Sequence, residues 1–138
     1  MVDQKVIVSR IEQIAKHLQK LAPYVKLSRE RFLRDSLAQD VVEYNLFQIV
    51  NHLIDVIQHI VVDENYGLPQ TAYEAAQILA DKRFFSGKDL EIIKKMIGFR
   101  NVIGHDYVHI NKDVVYSILS RGREDIKRII SKIAKRFL

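Results

Sequence analysis

An arginine and a histidine stand five residues apart in the C-terminal half of the chain, at Arg100 and His105. Arginine presents a fixed fork of donors that fits a phosphate, and a neutral histidine can take up and return a proton near neutral pH. Together the two residue types suit phosphodiester chemistry. On an unbroken helix the two side chains diverge by roughly 140°, although Gly104 could end the helix and let His105 turn towards Arg100. From residue type and spacing alone, an ordinary surface pair remains the alternative.

Tyr107 follows this pair and lies about two helical turns beyond Arg100, on nearly the same face. A phenol, with a pKa of about 10, is a poor base at neutral pH, so any proton transfer here belongs to His105. Taken by itself, Tyr107 is expected to pack at a helix end with its hydroxyl group hydrogen-bonded.

A second polar set, His52, Asp55 and His59, falls within about 60° of one helical face. Imidazole and carboxylate groups can hold a metal ion, but the first and last of these residues are nearly two turns apart, which strains a common site. A polar face is therefore the favoured interpretation, and we expect neither a metal nor a cofactor. The absence of cysteine excludes disulfides, thiolate zinc sites, iron–sulfur clusters and cysteine nucleophiles.

The elements that position these residues are predicted to be helices. The chain has 138 residues, 48% of them hydrophobic, with only 5 Gly and 2 Pro, which fits one domain over residues 1–138 and argues against many short strands. Apolar residues recur at helical spacing, which predicts an all-α, up-and-down bundle of about five helices.

Turn and capping residues set the expected bounds of these helices. Pro23 should stop the first helix. The second should run from Ser28 to about Val62, and the third from the cap at Thr71 to about Lys82. The fourth and fifth helices are expected to begin at Ser86 and Asn111, the fifth reaching Phe137.

The second predicted helix carries two adjacent apolar stripes between Val42 and Val61. Such a wide apolar face is expected of a helix that touches several neighbours or a second subunit.

The charge of the chain is uneven. Its 22 Lys and Arg exceed its 17 Asp and Glu, and the excess falls in residues 121–138. A basic C-terminal helix could attract RNA or an acidic partner, although a solvated face that complements the helix dipole is the favoured interpretation. The sequence has neither a long uncharged apolar run nor a signal-peptide pattern, so we expect a cytoplasmic protein without a membrane partner.

The stretch that contains Arg100, Asn101, His105 and Tyr107 resembles the R-x4-H-x-Y motif of HEPN domains, in particular the HepT toxins encoded beside the minimal nucleotidyltransferase MntA. The segment 66–74 and the order of the predicted helices are similar to that family as well, so the resemblance covers nearly the whole chain. Gly104 departs from the pattern, in which a branched apolar residue would be expected.

The resemblance implies a HEPN-like symmetric homodimer in which two motifs meet at the two-fold axis. It further implies a metal-independent endoribonuclease toxin of a type VII-like toxin–antitoxin pair. The 2′-hydroxyl of RNA would attack the adjacent phosphorus while His105 moves the protons and Arg100 stabilises the developing charge. Asn101 would bind the substrate and orient its phosphate.

The same resemblance implies that Tyr107 accepts AMP groups from an MntA-like nucleotidyltransferase antitoxin, with which the dimer could form a larger assembly. Bulk and negative charge beside Arg100 and His105 would then repel RNA. An alternative function is a non-catalytic nucleotide-binding or substrate-presenting subunit of a minimal nucleotidyltransferase. A third is a helical interaction protein in which the motif is coincidental.

Overall fold

Helices make up the regular structure of this computed structural model, which describes residues 2–105 and 110–138 apart from the side chain of His105. No strand occurs within these ranges, so the all-α prediction is confirmed. The α-helices are α1 (Gln4–Leu21), α2 (Arg29–Arg34), α3 (Ser36–Asp63), α4 (Ala72–Asp81), α5 (Gly87–His105), α6 (Lys112–Ser117) and α7 (Arg123–Phe137). A 3-10 turn, Ala22–Tyr24, follows α1 at Pro23, and a π-helical turn, Ile118–Gly122, joins α6 to α7.

Short polar side chains cap the N-termini of most of these helices. The hydroxyls of Ser28 and Thr71 accept hydrogen bonds from the third backbone N–H beyond them, and Asn111 accepts from the second and third. The hydroxyl of Ser86 accepts from the backbone N–H of Asp89 at 3.1 Å. Each bond satisfies a donor that the first turn of a helix cannot pair internally, which explains why these starts were predictable.

The prediction of one helix from Ser28 to Val62 is wrong at Asp35. This residue adopts an extended conformation, with φ −110° and ψ 94°, and separates α2 from α3. Its Oδ1 atom accepts from the backbone N–H of Ala38 at 3.0 Å, and Gln39 donates through Nε2 to the carbonyl of Phe32 at 2.9 Å. These bonds satisfy the broken helix ends, and the break lets α2 bury the ring of Phe32.

The predicted fifth helix contains the π-helical turn, which inserts one extra residue per turn before α7. A Cβ atom at Gly122 would lie 3.2 Å from Ile118, so the glycine relieves crowding inside this wider turn.

The core forms around α3, which packs against α1, α2, α4, α5 and α6. The wide apolar face predicted for this helix therefore contacts several neighbours within one chain. Large apolar side chains of α3, such as Leu46, Ile49 and Leu53, are almost fully buried. None of the helices in the described ranges is long and apolar enough to cross a bilayer.

Part of the basic C-terminal helix has a structural role. Asp89, buried at the start of α5, accepts hydrogen bonds from Arg128 Nη2 at 2.6 Å and from Lys132 Nζ on α7. Burial raises the pKa of Asp89, but the hydrogen bonds from Lys132 and Arg128 outweigh it and lower the pKa to about 2. Two of the charges expected to face RNA or solvent thus hold α7 against α5.

Candidate functional site

A cleft of about 630 Å³ opens between the C-terminal half of α3, the start of α4 and the C-terminal half of α5. Its volume is within the range of small-molecule pockets, roughly 300–1,000 Å³. Eleven residues line it: Asn51, Ile54, Asp55, Gln58, Gln70, Thr71, Ala72, Tyr73, Ile97, Arg100 and Asn101.

Arg100 lines this cleft from α5, and no carboxylate of the described residues forms an ion pair with it. Arg100 is half-buried, and its buried Nε atom has no hydrogen-bond partner among the described residues. In contrast, Arg10 and Arg128 are both paired with carboxylates. A partly desolvated guanidinium with an unused donor is suited to an anion that is planar or tetrahedral, such as a carboxylate or a phosphate.

Asn101 lies beside Arg100 on α5 and lines the same cleft. Its side chain forms no hydrogen bond with any residue of the described ranges, so its amide can also serve a ligand. The structure therefore brings together two of the residues singled out from the sequence. α5 stays helical through Gly104 to His105, so the glycine does not end the helix there.

Two other residues singled out from the sequence lie outside the described residues. The side chain of His105 and the whole of Tyr107 are in this group, so their relation to Arg100 stays a prediction.

Asp55 is the acidic member of the cleft lining, and α1 supplies its counter-charge. The Oδ2 atom of Asp55 lies 3.6 Å from Nε of Arg10. This pair offsets a negative charge that would otherwise oppose an anion bound at Arg100.

His52 and Asp55, two of the residues weighed as metal ligands, make separate contacts with α1. His52 stacks its ring on His17, with centroids 5.9 Å apart, while Asp55 pairs with Arg10. Across the described part of the chain, no group of three or more candidate ligands could hold a metal ion. These contacts account for His52 and Asp55 as members of a polar face.

His17 belongs to a buried polar pair with Asn45. Asn45 donates through Nδ2 to the carbonyl of Val41 at 2.8 Å, so its Oδ1 atom is the acceptor for Nδ1 of His17, also at 2.8 Å. Burial lowers the pKa of the neighbouring His52, and the charges of Arg10 and His17 lower it further.

Three cleft residues escaped the sequence analysis: Asn51, Gln58 and Tyr73. Asn51, Asp55 and Gln58 are spaced by four and three residues, so they form a polar line on a helix that is otherwise largely apolar. This polar interruption of the apolar pattern could have indicated a site on α3 from the sequence. No sequence pattern indicates Tyr73, since its place in the cleft depends on how α4 packs.

Residues 14–133 match the family model described as Ribonuclease HepT-like. The chain is 28% identical over 128 residues to the mRNA nuclease HepT of Shewanella oneidensis, an alignment that covers 93% of this chain and 96% of that protein.

Solved structures of toxins with their antitoxins are also similar to this chain. The tri-AMPylated HEPN toxin of Shewanella oneidensis, in complex with the MNT antitoxin, superposes with a TM-score of 0.86 at 28% identity, covering 98% of this chain and 99% of that one. A toxin–antitoxin complex with AMP-PNP also gives 0.86, at 27% identity, over 95% and 98% of the two chains. YutE from Bacillus subtilis, at 12% identity and a TM-score of 0.82, covers 98% of this chain and 90% of its own and shares the fold alone.

Proposed function

Because the chain belongs to the HepT-like ribonuclease family, we propose that it is an endoribonuclease toxin whose activity a cognate nucleotidyltransferase antitoxin blocks. The observation that carries this proposal is the half-buried side chain of Arg100, which lines the cleft and whose Nε atom has no hydrogen-bond partner among the described residues. A phosphodiester of RNA supplies the missing anion.

In the proposed reaction, the ribose 2′-hydroxyl attacks the adjacent phosphorus and the bond to the 5′-oxygen of the next nucleotide breaks. His105 takes the proton from the 2′-hydroxyl or gives one to the leaving oxygen, and Arg100 stabilises the charge on the phosphoryl oxygens. The products are a 2′,3′-cyclic phosphate and a free 5′-hydroxyl. The nucleophile belongs to the substrate, so this step requires no metal-bound water.

Asn101 contributes to binding in this scheme. Its amide sits next to Arg100 on α5, in the same cleft, and can donate to a phosphoryl oxygen or orient the phosphate. We assign it to substrate positioning, with proton transfer left to His105.

Neutralisation is proposed to act at Tyr107. The phenolic oxygen attacks the α-phosphorus of ATP bound to the antitoxin, pyrophosphate leaves, and the phenolic proton passes to solvent or to an antitoxin base. The AMP group adds bulk and negative charge two residues beyond His105, which opposes entry of an RNA phosphate. The related Shewanella toxin was solved as a tri-AMPylated protein with its antitoxin, which supports this scheme.

Two copies of the chain are proposed to form the active unit, with the motifs meeting at a two-fold axis. Leu37, Tyr44 and Val62 are exposed on α3, which leaves apolar surface free for a second copy. The alternative is a non-catalytic subunit that presents a nucleotide to the transferase, for which Arg100 would serve equally well.

Two measurements separate these functions. An RNA with a single 2′-deoxy substitution at a mapped cut should resist cleavage there, and the unsubstituted RNA should be cut at that position and yield a 2′,3′-cyclic phosphate end. Mass spectrometry after co-expression with the antitoxin should find AMP on the peptide that contains Tyr107. Cleavage at the 2′-deoxy position would contradict the mechanism, and a peptide that stays unmodified would contradict the neutralisation.

A further inference from the structure

The wall of the cleft on α3 presents amide groups that nothing in the described structure satisfies. Asn51 and Gln58 are half-buried, line the cleft, and form no side-chain hydrogen bond with another described residue. Because both side chains line an open cleft, water can hydrate their amides, and a ligand that enters the cleft can take the place of that water. The two amides are therefore available to a ligand.

The floor of the cleft is apolar. Ile54 is 6% exposed, Ile97 is 1% exposed and Ala72 is 9% exposed. A flat ring can lie against such a surface while its polar edges meet the amides on the wall. Most of the exposed lining is polar, and an apolar floor beside an amide wall can accept a heteroaromatic ring.

An aromatic side chain completes the cleft. Tyr73 projects from α4 towards α5, and a Cβ atom placed on Gly98 would lie 3.3 Å from its hydroxyl oxygen. The glycine thus lets the phenol approach the backbone of α5. Single-stranded RNA is recognised chiefly through unstacked bases that lie on aromatic rings and are read along their hydrogen-bonding edges.

We propose that this cleft holds one unpaired nucleobase of the RNA, read by the amides of Asn51 and Gln58 and packed against Tyr73, while Arg100 binds the neighbouring phosphate. The assignment rests on the proposed function, since it names the part of the substrate that this site selects. An amide offers a donor and an acceptor side by side, which matches the N6 and N7 positions of adenine. Adenine is therefore the expected base.

The test measures binding without cleavage. The His105→Ala protein is titrated with labelled single-stranded oligoribonucleotides that carry adenine, uracil or no base at their inner positions. We expect the adenine oligonucleotide to bind about tenfold more tightly than the abasic one. Asn51→Ala or Gln58→Ala should bring this ratio close to one without changing the abasic affinity, and Arg100→Ala should weaken all the oligonucleotides alike.

A shape-preserving variant gives an independent readout. Gln58→Glu replaces the amide donor with an acceptor, so its preference should move from adenine towards cytosine, whose N4 group donates. The matched control is Gln19→Ala, which removes the same amide from an exposed position on α1. It should leave both the affinity and the base preference as in the parent protein.

Equal binding of adenine and abasic oligonucleotides, or a ratio that survives both alanine variants, would overturn the proposal. AMP alone provides a further arm: if it binds in a manner that depends on Gln58 while the oligonucleotides show no base preference, the cleft holds an adenylate and the assignment to RNA fails. RNA cleavage without base discrimination would contradict the base site and leave the nuclease function supported. Base discrimination without RNA cleavage would contradict the nuclease function and leave the base site supported.

Discussion

The Nε atom of Arg10 on α1 lies 3.6 Å from the Oδ2 atom of Asp55 on α3, which lines the cleft next to Arg100. Both side chains are more than a third exposed, so the pair adds little to the stability of the fold. Its importance is electrostatic: it offsets a carboxylate where a phosphate is expected to bind.

Arg10→Ala should weaken RNA binding several-fold at low salt, because the charge of Asp55 then faces the phosphate uncompensated. The loss should shrink as salt screens the repulsion. Titration of an oligoribonucleotide over a series of salt concentrations measures both effects. Adding Asp55→Asn to the Arg10→Ala protein should restore the affinity, and a double variant no better than the single one would refute this account.

Asp89→Asn should reduce stability by about 1–2 kcal/mol at neutral pH, since it removes the acceptor of Arg128 and Lys132. Folding lowers the pKa of Asp89 from 3.8 to about 2. The stabilisation is therefore complete above about pH 4 and disappears as the pH falls towards 2. Urea unfolding at both pH values measures it.

The control for that measurement is Glu91→Gln, which removes an exposed carboxylate from the same helix. It should change stability little at either pH. If Asp89→Asn and the parent protein still differ by the same amount near pH 2, the ion pairs do not account for the stabilisation.

His52 should make stability depend on pH in the range of histidine titration. Its pKa in the folded protein lies below the ordinary 6.5, chiefly through burial, so the unfolded chain takes up the proton more readily. The stability that comes from neutral His52 is complete above 6.5 and is lost as the pH falls through the folded-state pKa.

His52→Gln should therefore flatten part of the decrease in stability between about pH 7.5 and about pH 5.5. Thermal or urea unfolding at several pH values provides the measurement. The matched control is His59→Gln, on the exposed side of the same helix, which should keep the slope of the parent protein. Equal slopes for all three proteins would mean that another group is responsible.

The helix starts were predictable because capping is local. Thr71 and Asn111 each bond to backbone N–H groups within three residues, so their role can be inferred from the sequence beside them. Asp35 carries the same local signal, since its Oδ1 atom accepts from the N–H of Ala38, but the apolar pattern runs through it unbroken and concealed the helix end. The packing of Phe32 on Tyr116, with ring centroids 5.6 Å apart, joins segments far apart along the chain and has no local signal.

The residues of the candidate site also differ in whether the local sequence could locate them. Arg100 and Asn101 are adjacent in the sequence and share one helix, so the motif located them. The remainder of the cleft comes from α3 and α4, and only the packing of these helices on α5 brings Gln58 and Tyr73 to the same place. Periodicity shows which face of a helix is polar, but it does not show what that face meets.

Gly98→Ala should weaken binding of single-stranded RNA. The added methyl group would stand 3.3 Å from the hydroxyl oxygen of Tyr73, so the phenol must shift away from α5. Tyr73→Phe removes that oxygen, and combining the two changes should recover part of the affinity. Gly87→Ala is the control, because nothing lies within 4 Å of its added carbon. Equal affinity of the Gly98→Ala and Gly87→Ala proteins would argue against a role for Tyr73.

The proposed function requires Arg100 and His105 for RNA cleavage. Its most direct test is incubation of total cellular RNA with the purified protein in excess EDTA, beside Arg100→Ala and His105→Ala proteins shown to be folded to the same extent. We predict that the parent protein cuts RNA and that neither variant does. Cleavage by either variant at the parental rate, or no cleavage by the parent protein, would contradict the account.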